Sequence, residues 1–151
     1  MKVFTIGESI QGGAERFFKL LLENHVQIVI DIRVINDYPD AGFSKARDLP
    51  FFLQHVDSAN IDYVSRKDFA PSLKLLNDTH AGKVDWQGYI EIYQQLIQER
   101  GTWKDFLDDF GCYKNVCLLC FEATPEQCHR RLLAEKLQDY FTGQIEVKHL
   151  V

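Results

Sequence analysis

The 151-residue sequence contains no long apolar run. A membrane-spanning helix needs about 20 consecutive apolar residues, and no stretch approaches that length. The first residues, Met1–Gly7, also lack the apolar core of a secretory signal. We therefore expect a cytoplasmic protein that contacts no membrane.

Cysteines and glycine-rich motifs are also scarce. The sequence holds only 4 cysteines, clustered in its last third, which is too few for a disulfide framework in a chain of this size. It contains neither Gly-x-Gly-x-x-Gly nor Gly-Lys-Ser/Thr, so it carries no dinucleotide fingerprint and no P-loop. We expect the cysteines to be free thiols.

Positive charge is in deficit. With 17 Lys and Arg against 22 Asp and Glu, the formal net charge is -5. This balance argues against the broad basic surface of a non-specific nucleic-acid-binding protein. It leaves room for a local basic pocket.

The residues that are present predict one α/β domain over residues 1–151. Short apolar runs, typical of buried strands, alternate with segments of helical spacing. We expect a single three-layer domain with about five mostly parallel strands, Rossmann-like or flavodoxin-like. The expected strands are 3–6, 27–32, 61–64, 116–121 and 145–149, and residues 65–85 read as a long connection with one helical turn.

The most informative segment follows the fourth strand and runs from Cys120 to Arg130. Its Thr-Pro-Glu-Gln stretch, 124–127, is typical of a helix start. Parallel strands end at one edge of a sheet, where open α/β folds bind ligands. We therefore expect Glu122 to meet Asp31–Arg33 and Gly7–Ser9 at that edge.

Two arginines indicate an anionic ligand at this edge. Arg33 and Arg130, beside a helix N-terminus, would suit a phosphate or carboxylate. The structural alternative is that they form ion pairs with Asp31 and Glu122. Ser9 either donates a hydrogen bond to the ligand or caps a turn.

Helical projection sorts the side chains of the last motif. It predicts a buried stripe through Leu133, Leu137, Tyr140 and Phe141, with His129 and Arg130 leaning towards the sheet edge. Cys128 points away in this projection, which makes it a weak candidate for the nucleophile. His129 is either a general acid or base or a histidine that flanks the core.

Metal binding is not expected. Cys117 and Cys120 lie three residues apart on a strand, so their side chains should face opposite sides of the sheet, and Cys117 reads as a small core residue. Cys120, Cys128 and His129 offer three zinc ligands in principle, but their spacing matches no common zinc pattern.

Four motifs occur together in this order and resemble the domain-of-unknown-function 488 family: Thr5-Ile6-Gly7-Glu8-Ser9, Asp31-Ile32-Arg33, Gly42-Phe43-Ser44 and Cys120-x-Glu122-x-x-Pro125-x-x-Cys128-His129-Arg130. The resemblance implies a compact α/β protein with a polar, enzyme-like signature and no settled reaction. The family usually has histidine where this chain has Glu8. Either the site has lost a proton carrier, or that histidine was never essential.

Together these patterns predict an enzyme, a hydrolase or a transferase, that acts on a phosphorylated small molecule, a nucleotide or a nucleic-acid end. The alternative is a non-catalytic module that binds an anion or nucleic acid. Tyr38, Phe43, Phe51 and Phe52 beside basic residues would either stack on bases or belong to a core helix. The sequence specifies no cofactor and no oligomeric state. The expected catalytic residues are Glu122, His129, Cys120 and Asp31, and the expected binding residues are Arg33, Arg130, Ser9, Glu8 and Cys128.

Overall fold

The computed structural model describes residues 1–151 and contains one sheet of five parallel strands. The strands lie in the order β3-β2-β4-β1-β5, with each neighbouring pair parallel. This confirms the predicted fold class. The strands are β1 (Lys2–Gly7), β2 (Ile28–Asp31), β3 (Asp62–Ser65), β4 (Asn115–Cys120) and β5 (Glu146–His149).

Six α-helices cover the two faces of the sheet. The chain moves in one direction from β1 through β2 to β3 and in the other direction from β3 to β4 and β5. Right-handed crossovers therefore place the early helices on one face and the later helices on the opposite face. The early helices are α1 (Gly13–Glu23) and α2 (Leu49–His55), and the later ones are α3 (Leu73–His80), α4 (Trp86–Arg100), α5 (Phe106–Phe110) and α6 (His129–Tyr140).

Two apolar cores lie on either side of the sheet, because alternate strand residues face opposite directions. On β4, Val116 and Leu118 pack towards α3–α6, whereas Cys117 and Leu119 pack towards α1 and α2. Cys117 is fully buried in the second core, as predicted. Cys120, the last residue of β4, lies on the same face of the sheet as Val116 and Leu118, which is the face covered by α3–α6.

The start of the last helix was predicted wrongly. Residues 124–127 form turns, and α6 begins at His129 after Cys128, whose backbone is extended (φ -140, ψ 138). Arg130 hydrogen-bonds to the carbonyl oxygens of Glu122 and Ala123, and these contacts hold the preceding segment as a folded-back loop. Within α6, Leu133 and Leu137 are fully buried as the projection predicted, whereas Tyr140 is 53% exposed rather than buried.

The connection between β3 and β4 is more helical than predicted. Ser72 caps α3 by accepting a hydrogen bond from the Leu75 amide, and Asp85 caps α4 by accepting one from Gly88. Both residues are typical N-cap residues. As a result, residues 73–80 form a full helix, and α4 begins three residues before Tyr89.

None of these helices combines the length and the apolar character that crossing a membrane requires.

Gly7 allows the loop after β4 to approach β1. A Cβ atom at this position would lie 1.7 Å from the Glu122 carbonyl oxygen and 2.7 Å from Arg130 Nη1. Because these are main-chain and fully buried atoms, we expect Gly7→Ala to lower the free energy of unfolding by about 3 kcal/mol, measured by urea denaturation. Gly88→Ala is the matched control, since the closest contacts there are side-chain atoms at 3.2 Å. Equal stability of the two variants would contradict this account.

Candidate functional site

A pocket of about 450 Å³ opens at the carboxyl ends of β2 and β4. The loops that follow these neighbouring strands diverge to opposite faces of the sheet, which leaves a crevice between them. Of the predicted site residues, Arg33, Cys120, Glu122 and His129 line this pocket. The convergence expected from the sequence is therefore present for these four residues.

The walls of the pocket are mostly apolar and aromatic. Trp86 and Tyr89 stack at the start of α4, with ring centroids 5.1 Å apart. Tyr38 and Phe121 meet edge to face at 6.0 Å, and both line the pocket. Such walls favour a ligand with an apolar or aromatic body.

The floor of the pocket carries a compact cluster of four side chains: Cys120, Glu122, Cys128 and His129, whose donor atoms all lie within 4.8 Å of one another. The two thiol sulfurs are 3.0 Å apart, too far for a disulfide bond. Glu122 Oε2 accepts hydrogen bonds from Cys120 Sγ at 2.8 Å and Cys128 Sγ at 2.9 Å. We call these four residues the thiol cluster.

His129 has a fixed orientation in this cluster. Its Nε2 lies 2.9 Å from the carbonyl oxygen of Ile32, which only accepts hydrogen bonds, so Nε2 carries the proton. The other ring nitrogen, Nδ1, lies 3.4 Å from Cys120 Sγ. Tyr93 packs against the imidazole ring with centroids 5.6 Å apart. The histidine therefore holds Nδ1 towards the cluster in a fixed position.

The protonation of the cluster follows from its burial. Burial raises the pKa of the Cys120 thiol, and burial together with the Cys120 contact raises the pKa of the Cys128 thiol well above its usual value. For Glu122, burial opposes ionisation, but the neighbouring His129 and the two thiol donors outweigh it and lower the carboxyl pKa. The carboxylate is thus the ionised member of the cluster.

Arg33 is 2% exposed and lies in a second, separate network. Its guanidinium pairs with Asp31 at 2.7 Å and with Glu8, and it donates a further hydrogen bond to the Ser44 carbonyl oxygen at 2.7 Å. Tyr63 adds a 2.7 Å hydrogen bond to Asp31. Burial raises the pKa of the Glu8 carboxyl, against the hydrogen bond from Ser44 and the charge of Arg33. The structural alternative considered from the sequence, an ion pair between Arg33 and Asp31, is present.

Arg130 has a structural role of another kind. It is fully buried, and its Nη atoms donate to the carbonyl oxygens of Glu122 and Ala123 rather than to the Glu122 carboxylate. Its Nε has no partner. The ion pair between Arg130 and Glu122 that was considered as the structural alternative is therefore absent, and Arg130 instead fixes the loop that carries Glu122.

Four other predicted residues lie elsewhere than expected. Ser9 is exposed outside the pocket, where its amide hydrogen-bonds to the Phe121 carbonyl oxygen at 3.1 Å. Asp31 and Glu8 do not line the pocket; both bind Arg33 instead. Cys128 was predicted to point away from the sheet edge, but it is buried against Cys120, because it precedes the helix whose geometry the projection assumed.

The sequence reasoning missed one wall of the pocket. It comes from α3, the start of α4 and their connection, and residues 65–85 of this region were predicted to be a long connection with one helical turn. The residues of this wall are Leu76, Thr79, His80, Val84, Trp86 and Tyr89. The cap residues Ser72 and Asp85 were the available signals. Of the aromatic residues considered for base stacking, Tyr38 lines the pocket, whereas Phe51 and Phe52 are exposed on α2.

The Arg33 network should contribute strongly to stability. Arg33→Met would leave the buried carboxylates of Asp31 and Glu8 without their cation, so we expect the free energy of unfolding to fall by about 3–5 kcal/mol. Arg47→Met removes the guanidinium from an exposed ion pair with Asp48 and should leave the urea midpoint unchanged. Similar midpoints for the two variants would show that the network contributes little.

Comparison with known proteins gives one result. The family model described as "Domain of unknown function DUF488" matches residues 13–137, a range that includes the thiol cluster and Arg33 but not the Thr5–Ser9 motif. No curated protein and no solved structure matches the chain. Because the matched range covers most of the 151 residues, the chain belongs to the DUF488 family.

Proposed function

We propose that this protein is an enzyme, a hydrolase or a transferase, whose reaction takes place at the thiol cluster. Its substrate is a small molecule with an apolar or aromatic body, held between the walls of the pocket with its reactive group on the floor. Glu122 is the proposed acid or base, with Cys120 and His129 beside it. The four free cysteines fit a reducing compartment, and we place the protein in the cytoplasm.

One observation carries the proposal. A carboxylate, an imidazole nitrogen and a thiol from two segments of the chain meet on the floor of a pocket large enough for a small molecule. Reactive groups at the base of a largely apolar cavity are typical of active sites. The orientation of His129 by Ile32 adds the fixed geometry that proton transfer requires.

The anionic substrate expected from the sequence has less support. Arg33 lines the pocket, but Asp31, Glu8 and Ser44 already occupy its guanidinium group. Arg130 does not line the pocket. An anionic group would therefore have to displace a carboxylate from Arg33, and we treat the charge of the substrate as a variable in the experiment below.

The alternative function is a non-catalytic binding module. It is favoured by the burial of Cys120, Cys128 and His129, which leaves Glu122 as the most exposed member of the cluster. In this alternative, the pocket recognises the ligand and the cluster serves only as its floor.

Glu122→Gln separates the two functions. If Glu122 transfers a proton, the variant should lose at least about 100-fold in kcat while the ligand's dissociation constant stays unchanged. The measurement uses nitrophenyl acetate and nitrophenyl phosphate as neutral and anionic probes, followed by nitrophenol release, and calorimetry for binding. Glu126→Gln is the matched control, because Glu126 is an exposed carboxylate on the same loop and does not line the pocket.

The outcomes are distinct. Turnover of either ester that depends on Glu122 supports the enzyme, and the preferred ester reports the charge of the substrate. Binding without turnover by the unmodified protein, or equal loss of binding and turnover in Glu122→Gln, supports the binding module.

A further inference from the structure

We infer that the thiol cluster is a binding site for a zinc-class metal ion, with Cys120 Sγ, Cys128 Sγ and His129 Nδ1 as protein ligands and Glu122 at the fourth position. The inference goes beyond the proposed function, because metal binding is measured without any turnover.

The donor set matches the preference of zinc. Zn²⁺ binds thiolate sulfur, imidazole nitrogen and carboxylate oxygen, usually with four ligands in a tetrahedral arrangement. The cluster offers two sulfurs, one nitrogen and one oxygen, all within 4.8 Å. Soft thiolates disfavour Mg²⁺ and Ca²⁺, which prefer sets of oxygen ligands.

The spacing of the atoms fits such an ion after small shifts. With Zn–S at about 2.3 Å and Zn–N and Zn–O at about 2.0–2.2 Å, tetrahedral neighbours lie about 3.3–3.8 Å apart. The contacts of Cys120 Sγ with Glu122, Cys128 and His129 are 2.8, 3.0 and 3.4 Å, and no two donor atoms are more than 4.8 Å apart. The short separations therefore have to grow by less than about 1 Å and the widest has to shrink by at most about 1.5 Å, which side-chain rotation can supply.

The orientation of His129 is that of a metal ligand. A metal-binding histidine almost always donates its other ring N–H to a carbonyl or carboxylate oxygen, which fixes the tautomer and the ring. In this chain, Ile32 provides that carbonyl oxygen at 2.9 Å from Nε2. Nδ1 is thereby left free on the side of the two sulfurs.

Charge provides an independent argument. Glu8 and Asp31 are both paired with Arg33, whereas Glu122 forms no salt bridge and has only weak thiol donors as side-chain partners. Both neighbouring arginines are committed to other groups. A carboxylate and two thiols that converge without a lysine or arginine leave a position that a cation would fill.

The site also leaves room for a substrate. Cys120, Glu122 and His129 line the pocket, so an ion held by the cluster would lie at its floor. Zinc sites that act in catalysis keep three protein ligands and one exchangeable position. Displacement of Glu122 by an incoming group would supply that position and leave the carboxylate beside it as an acid or base.

The test is a zinc titration of the full chain after treatment with a chelator, read out by competition with a chromophoric chelator. We expect one ion per chain. Removal of a residue that only hydrogen-bonds to a metal ligand typically weakens metal binding about 10–100-fold. Cys128→Ser and His129→Gln remove the ligands themselves, so each should weaken zinc binding by more than that. Cys112→Ser is the matched control, because Cys112 is exposed and lies outside the cluster, and it should bind zinc like the unmodified protein.

A second measurement does not depend on the folding of any variant. Cobalt bound to the unmodified protein should show the intense absorption of thiolate-to-cobalt charge transfer, and zinc should abolish it. Absence of stoichiometric zinc, or zinc that binds equally well to Cys128→Ser and His129→Gln, would overturn the inference. The inference would also be overturned if the isolated chain contained a Cys120–Cys128 disulfide and bound no zinc after that disulfide was reduced.

The results also distinguish the two proposals. Zinc binding without turnover of any ester supports the metal site and contradicts the proposed enzymatic function. Turnover that depends on Glu122 in a protein that binds no zinc supports the enzymatic function and contradicts the metal site.

Discussion

The contact between the loop after β4 and the end of β1 determines the geometry of the whole site. Arg130 reaches back from α6 to the carbonyl oxygen of Glu122, and the missing side chain of Gly7 leaves the space that this carbonyl occupies. The amides of Glu8 and Ser9 complete the contact by bonding to Cys120 and Phe121. Because the loop is held at both places, Glu122 and Cys128 are brought to the end of the strand that carries Cys120. The cluster thus depends on main-chain contacts that contain none of its own side chains.

The second constraint is the neutralisation of buried charge. Arg33 with Asp31 and Glu8 forms a closed set in which the hydrogen bonds of the guanidinium are directed to protein atoms. A buried charged group is retained only where such partners exist. Glu8 adds a second carboxylate to the pairing of Arg33 with Asp31. The residue therefore belongs to the Arg33 network, and the thiol cluster is a separate group of side chains.

The sequence predicted the sheet well because apolar runs of the right length are strong signals of buried strands. It also located the edge at which Arg33, Cys120, Glu122 and His129 meet, since that follows from parallel topology alone. It failed where long-range contacts override local preference. Thr124 and Pro125 favour a helix start, but Arg130 holds that segment as a loop, and the error turned Cys128 in the wrong direction. The roles of Arg33 and Arg130 depend on contacts with distant residues, which no spacing in the sequence reveals.

The same argument explains why the cluster does not resemble a zinc motif in sequence. Common zinc patterns place paired ligands on one short turn, where local geometry alone sets their separation. In this chain, one donor ends a strand and two precede or begin a helix, and their separation is set by the loop that Arg130 and Gly7 hold in place. Cys120 and Cys128 are therefore brought together by contacts of the fold that no short sequence pattern contains. Side chains held in this way by strands and helices keep a fixed geometry, which suits the reactive role that we propose for the cluster beside the pocket.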